Sequence, residues 1–580
     1  MSAGHTGTIR SFDATGGNVV TTPTGARAHA LLVGHAEHLQ RRFVTIRSGV
    51  WCLVGNGLSN QTFVEGPDGI IAIDTGECVE EMRAALKELR AVTSRPVVAV
   101  IYTHFHYVNG TKAVFEDAGH AVPVYAHGWV VANRQRVSDE IGPFYGRGLV
   151  EQFGINLPPS GPDGLVHVGL GLAFRFPEHA PFTPGFEVPT ITTLTTVTWK
   201  IAGLRVDALP APSDATDSMT LWFPDLGLAV HNLVWPTLFN IFAIRGEEYR
   251  DPRVLLTGLD DLLRLEAQHL AGAHGPPISG QADIAARVER YRDSIQFLWD
   301  QTVRGMNLGW TADELAARVR LPDVYDEDFI TSERYGVAEH HVRQIENGLR
   351  GWFDGDAARL FPLEPAERAA RLVKGFGGHA NVREQADAAL SADDLRWGTE
   401  LASWLVKAPD ANTGLASADK GLLAECLRRI GQRSPAANIR NWCLTQARDL
   451  EGVGSLDRFR AHRLRREAII ADPVRSLEVL RVLLDPARAA GINVHVRLDF
   501  GDGRSGGIHI RNAISCPTDG KRAASILKTS PEAWADWITG KAGLEGLLQS
   551  GAARIDGDAK AVTAALACFE LASQFPSRKS

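Results

Sequence analysis

Cysteine is scarce in this chain. Six residues in 580 (Cys52, Cys78, Cys426, Cys443, Cys516 and Cys568) include no CxxC pair, which excludes a dense disulfide framework and fits small core residues in a reduced compartment. Long apolar runs are also missing: nowhere do about 18 consecutive apolar residues occur. The N-terminal MSAGHTGTIRSFDATGG has no positive region leading into an apolar stretch. A cytoplasmic protein that neither crosses nor binds a membrane is therefore expected. No sign of charge dominates, with 61 basic against 68 acidic residues and a net charge of -7, so there is no electrostatic footprint for nucleic acid or an anionic lipid surface. With 44% hydrophobic and 22% charged residues, the composition excludes a mostly disordered or collagen-like chain.

What is present suggests about three or four folded units, at roughly 150 residues each. From Val44 to Asp74 short apolar runs are punctuated by Gly, Asn and Pro-Asp-Gly, the signature of antiparallel hairpins. VEEMRAALKELRAV follows, with Met82, Leu86 and Leu89 on one helical face, and then PVVAVIYTHFH, a β-branched run read as a buried strand ending in polar residues. This is an α/β arrangement with function at a strand end. After about Ile284 the period becomes helical; SADDLRWGTELASWLVKA is read with Ser391 as its cap. Near Arg458 strands return. INVHVRLDF places Val494, Val496, Leu498 and Phe500 on one face of a small α+β domain, and Trp534, Trp537, Leu544 and Leu547 are assigned to its core ahead of a lipid-like groove.

The chemistry concentrates in YTHFHYVNG. His104 and His106 stand two residues apart where the chain leaves a buried strand, so their imidazoles can converge on one ion; imidazole suits Zn, Fe, Mn or Cu. Downstream come PSDATDSM, AVHN and GAHG, and with them the series resembles the ligand loops of the metallo-β-lactamase superfamily. The resemblance implies that Asp214 is the third ligand, that His231 takes the position of a bridging carboxylate, and that His274 matches the last histidine. Asp217 is a competing carboxylate in the same loop; His120, His127 and His269 are left as structural.

The branch it resembles is the linear alkylsulfatases, or type III sulfatases. SNQTFVEGPDG, the HxH loop and FNIFAIRGEEYRDP carry that likeness in the first domain, ERYG, RGWFDGD and KGFGG in the helical part. The resemblance implies a metallo-β-lactamase-like αββα sandwich over 1–285, an all-α dimerisation domain over 286–453, and a small α+β sterol-carrier-like (SCP2-like) domain over 454–580. It implies a homodimer, and an anionic substrate with an apolar part whose head group is held by Arg245 with Asn240 and Asn109. Arg245 also has the alternative of an ion pair with Glu247 or Asp251.

The chain departs from the family pattern at the second metal. Where HxHxDH has Asp and His, this sequence has Val108 and Asn109. A valine cannot ligate, and an amide is a poor substitute for imidazole. One divalent ion per chain, Zn or Fe(II) with Mn possible, on His104, His106, Asp214 and His231 is the expectation. Two chemistries then compete. The first is hydrolysis of a sulfate ester or related anionic ester with a metal-bound water, His274 and Arg245 acting in catalysis. The second is a mononuclear non-haem Fe(II) oxidase, oxygenase or lyase, prompted by the extra nitrogen of His231. A non-catalytic assembly protein is the third reading.

Overall fold

A computed structural model describes residues 11–459, 462 and 464–571. Residues 1–10, most of the stretch searched for a targeting signal, and 572–580 of the C-terminal domain lie outside the described residues. A short ladder pairs β1 (Val19–Thr21) with β2 (Arg27–His29). Seven strands then form one sheet in sequence order: β3 (Arg42–Arg47), β4 (Val50–Val54), β5 (Gln61–Gly66), β6 (Gly69–Ile73), β7 (Val97–Ile101), β8 (Val124–His127) and β9 (Ile191–Thr193). The expected hairpins are there: β3 to β6 pair antiparallel. The Pro67-Asp68 turn is closed by the Gly66–Gly69 pair; a Cβ on Gly69, whose φ is +147°, would lie 2.5 Å from Val98 Cγ1. From β6 onward pairing is parallel. Helix Val79–Arg90 makes the crossover from β6 to β7, its acidic first turn and basic last turn matching the helix dipole and its Met82, Leu86 and Leu89 buried.

The second sheet runs β10 (Val197–Ile201), β11 (Leu204–Pro210), β12 (Met219–Phe223), β13 (Leu228–His231), β14 (His269–Gly272) and β15 (Ile278–Ser279). Val64, Ile71 and Ile101 of the first sheet pack with Val206, Leu221 and Val230 of the second in one apolar layer, each burial stabilising by about 1.5–3 kcal/mol. Helix Pro252–Arg264 connects the parallel pair β13 and β14. Helices outside two facing sheets give the αββα sandwich expected from the sequence.

Residues 281–450 are helical, opening with the 27-residue helix Gln281–Asn307. Tyr291, Tyr335, Val342 and Ile345 join Trp235 and Phe239 in a shared core, so these helices support the loops behind β13. One expected cap moves: Ser391 ends helix His379–Ser391, and the next helix is capped by Asp394, whose side chain accepts from Trp397 N. A carboxylate three residues upstream of a free amide reaches the helix start that Ser391 cannot.

By contacts the chain divides into two compact units, the second formed by Arg134–Arg147 with the chain from Ser455 onward. That unit is α+β. β16 (Val494–Asp499), β17 (Ser505–Arg511), β18 (Ile514–Thr518), β19 (Ser525–Thr529) and β20 (Ala553–Asp556) form a sheet in the order β18-β17-β16-β19-β20. Val496, Leu498 and Phe500 face Trp534, Trp537 and Leu547 in its core, with Leu544 packed at the edge. Arg475 ties the inserted segment to this unit by pairing with Asp139 at 2.9 Å.

Candidate metal centre

The site is assembled where β6 and β7 end. Asp74, just past β6, has a φ of +55°, and its carboxylate accepts from Thr103 N (2.8 Å) and Thr103 Oγ1 (2.6 Å). Burial pushes this acid up to about 7. The Thr103 hydroxyl, committed as a donor to Asp74, can only accept from His104 Nδ1 at 2.9 Å, which leaves the Nε2 lone pair of His104 facing Asp214 Oδ1 at 3.5 Å. A single 3-10 turn, Phe105–Tyr107, swings His106 round so that its Nδ1 lies 3.1 Å from Asp214 Oδ2. His104, His106 and Asp214 thus offer ligand atoms within 4.8 Å of one another.

Electrostatics favour a cation at this point. Burial presses against charge on Asp214, but the adjacent His104 and His106 hold its carboxyl well below the ordinary range. Burial likewise disfavours charge on His106, and is overcome by Asp214 and Glu247, which raise the imidazole to about 9. His104 stays neutral, lowered by burial to about 3. Two nitrogens and a carboxylate, desolvated and with their second nitrogens and oxygens engaged, fit a divalent ion.

His231 stands outside this donor group. It ends β13, and its Nδ1 accepts from Leu233 N (3.0 Å) and Val234 N (3.3 Å); with Nδ1 occupied by amides, the proton sits on Nε2 and no lone pair is left for an ion. Strand alternation turns the next residue the other way. Asn232, which the sequence reading passed over, donates from Nδ2 to Asp214 Oδ1 at 2.6 Å and accepts at Oδ1 from Trp235 Nε1. An uncharged amide therefore stands against Asp214, where the sequence reading expected His231.

His274 lies on the far side of Tyr107. Its Nδ1 donates to Leu58 O (2.9 Å) and its Nε2 faces the Tyr107 hydroxyl at 3.4 Å, while the Tyr107 ring meets those of His104 and His274 edge-on. Burial lowers His274 to about 4. The SNQ segment explains its own presence here: Asn60 Nδ2 donates to Gly272 O and Gly275 O, clamping the loop that carries His274.

Arg245 is already engaged. Glu247 Oε1 accepts from its Nε (3.0 Å) and Nη2 (2.8 Å), which is one of the two ion pairs considered from sequence; Asp251 instead caps helix Pro252–Arg264. Arg250, missed in the sequence, is 4% exposed. It donates from Nη1 to Asn240 O and leaves Nε and Nη2 buried without hydrogen-bond partners, the donor pair with which a guanidinium takes two oxygens of one anion. Both side-chain polar atoms of buried Asn240 are unpartnered as well, and a Cβ on Gly336 of the ERYG segment would fall 2.3 Å from its Oδ1. Val108 is fully buried and bridges Gly76. Asn109 is half-buried, with its backbone N–H donating to Gly76 O. Asp217 accepts from Asn133 and is not part of the donor group. His120 is exposed, and His127 and His269 serve a turn and a strand edge.

Two family models match: metallo-beta-lactamase superfamily over residues 54–107 and alkyl sulfatase dimerisation over 311–452. A linear primary-alkylsulfatase of a Pseudomonas sp. is 31% identical over 528 residues, covering 87% of this chain and 98% of that one. The chain belongs to the linear alkylsulfatase family. Further relatives of this alkylsulfatase are an alkyl/aryl-sulfatase of Saccharomyces cerevisiae, 30% identical over 70% of this chain and 64% of that one, and an (R)-specific secondary-alkylsulfatase of a Pseudomonas sp., 26% identical over 87% and 77%. The solved stereoselective inverting sec-alkylsulfatase from Pseudomonas sp. has the same fold, with a TM-score of 0.81 at 23% identity over 98% of this chain and 90% of that one. The family is one of metallo-hydrolases, and the non-haem iron alternative loses its support twice: these relatives are sulfatases, and His231, whose nitrogen prompted it, is not among the converging donors. No helix among the described residues is long and apolar enough to cross a membrane.

Proposed function

We propose that this protein hydrolyses a sulfate ester of an apolar alcohol with a single divalent ion, zinc in the first instance, held by His104, His106 and Asp214. The observation that carries the reading is the juxtaposition of three converging ligand atoms with the buried guanidinium of Arg250, whose Nε–Nη2 edge is unpartnered. An ion bound there would supply Lewis acidity and activate water for attack near neutral pH. Arg250 and the Asn240 amide take the sulfate oxygens and hold the ester in register. His274, neutral at pH 7 and with Nε2 as the acceptor that faces the Tyr107 hydroxyl, receives the proton that hydrolysis releases, and Tyr107 keeps its ring aligned with His104.

The family pattern adds an aspartate and a bridging glutamate together with a second divalent ion, which sums to no net charge. Val108, Asn109, neutral His231 and Asn232 also carry none, so a one-ion site keeps the same net charge.

The test is release of inorganic sulfate from medium-chain alkyl sulfates by zinc-loaded protein in the absence of dioxygen. Sulfate release at one or more chain lengths is expected; no turnover across the series overturns the reading. The helical region from 286 to 453, overlapping the dimerisation match, is assigned to a homodimer, with the catalytic domain over 1–285 and the sterol-carrier-like domain from 454. Light scattering should therefore give twice the chain mass of 62.9 kDa, and a monomer would refute the dimer.

A further inference from the structure

Glu247 touches both halves of the site. Gly246, with a φ of +81°, folds the chain back so that the Glu247 carboxylate meets the guanidinium two residues before it. Oε1 accepts from Arg245 Nε and Nη2, and the same oxygen lies 3.6 Å from His106 Nε2. The opposite nitrogen of that imidazole, Nδ1, faces Asp214 Oδ2 at 3.1 Å. The Glu247 side chain is only 8% exposed, so its charge is felt by these neighbours and little by water.

We infer that Glu247 is a positioning residue shared by the metal and the anion subsites: it holds His106 with Nδ1 turned to the metal position, and it withholds Arg245 from the substrate head group. The inference rests on the single-metal, anion-binding reading above. A carboxylate behind a ligating imidazole fixes the ring and makes it a stronger donor. A guanidinium that already gives two hydrogen bonds to a carboxylate has its fork occupied, and an incoming oxyanion must displace that carboxylate to use it. One negative charge therefore acts with opposite sign on the two ligands, strengthening the cation and weakening the anion. Arg250, whose Nε and Nη2 have no hydrogen-bond partner, carries the anion while Arg245 is held.

Cobalt(II) alone, followed by absorbance and calorimetry, and inorganic sulfate alone, followed by calorimetry on the full-length protein, separate this from a purely structural role. Glu247→Gln should weaken cobalt binding by about ten-fold or more and tighten sulfate binding several-fold. Arg245→Met should leave cobalt binding unchanged or stronger and sulfate binding almost unchanged. Adding it to Glu247→Gln should abolish the gain in sulfate affinity. Glu247→Asp, which keeps the charge, should return cobalt binding toward the wild type. Weakening of both ligands by Glu247→Gln, or of neither, overturns the inference while wild-type binding of cobalt and sulfate leaves the broader reading intact. Wild-type protein that binds neither overturns both.

Discussion

His106→Ala should lower kcat/KM for a medium-chain alkyl sulfate by at least about 10³, the several kcal/mol a Lewis-acid ion supplies at about 1.4 kcal/mol per decade. Elemental mass spectrometry should show the cause: metal content falling from about one ion per chain to near none, because two of three protein ligands cannot hold a divalent ion in competition with water. The physical basis is the geometry of one turn. His106 reaches the site only because the 3-10 segment Phe105–Tyr107 brings its Nδ1 to 3.1 Å from Asp214, and no other imidazole among the described residues stands with that pair. His231→Gln is the control. Its Nδ1 serves two backbone amides and not the ion, so metal content should stay at the wild-type level, with any loss appearing in thermal stability. Equal loss of metal in both variants would show that the donor group is wrongly drawn.

The contrast between these histidines marks what could be read from residues alone. HxH at the end of a β-branched strand is a local pattern that marks both imidazoles as candidates, although the 3-10 turn that swings His106 round is not legible in it. The hairpins around Pro67-Asp68, the crossover helix with Met82, Leu86 and Leu89 inward, and the apolar face of β16 follow from period and turn chemistry in the same way. Asn232 was hidden for a different reason. In AVHN the histidine draws attention as the better ligand, yet a strand alternates its faces, and only the end of β13 decides which of two adjacent residues meets Asp214. Arg250 was hidden, and Glu247 stood level with Asp251 as a partner for Arg245, because FNIFAIRGEEYRDP contains two arginines and two consecutive glutamates, and pairing depends on the fold-back at Gly246. The Asp74–Thr103–His104 relay joins two strand ends 29 residues apart, which no spacing rule connects.

Restoring the three missing groups together, Val108→Asp with Asn109→His and Asn232→Glu, should raise zinc content from about one to about two ions per chain. The single changes should behave otherwise. Asn232 donates to Asp214 at 2.6 Å; a glutamate there replaces a hydrogen bond with two carboxylates forced together in a buried site, so Asn232→Glu alone should lower the melting temperature and gain no second ion. Val108→Asp alone puts a charge into a fully buried position beside Gly76, with the same consequence. In the triple variant the second ion neutralises both new carboxylates and takes the new imidazole as a ligand, so zinc should recover the lost thermal stability in that variant and in neither single one. The effects are non-additive because the three positions share one ion. A triple variant that stays at one zinc per chain would mean that the second site was lost through the backbone around Gly76 and Val108, and not through the three side chains.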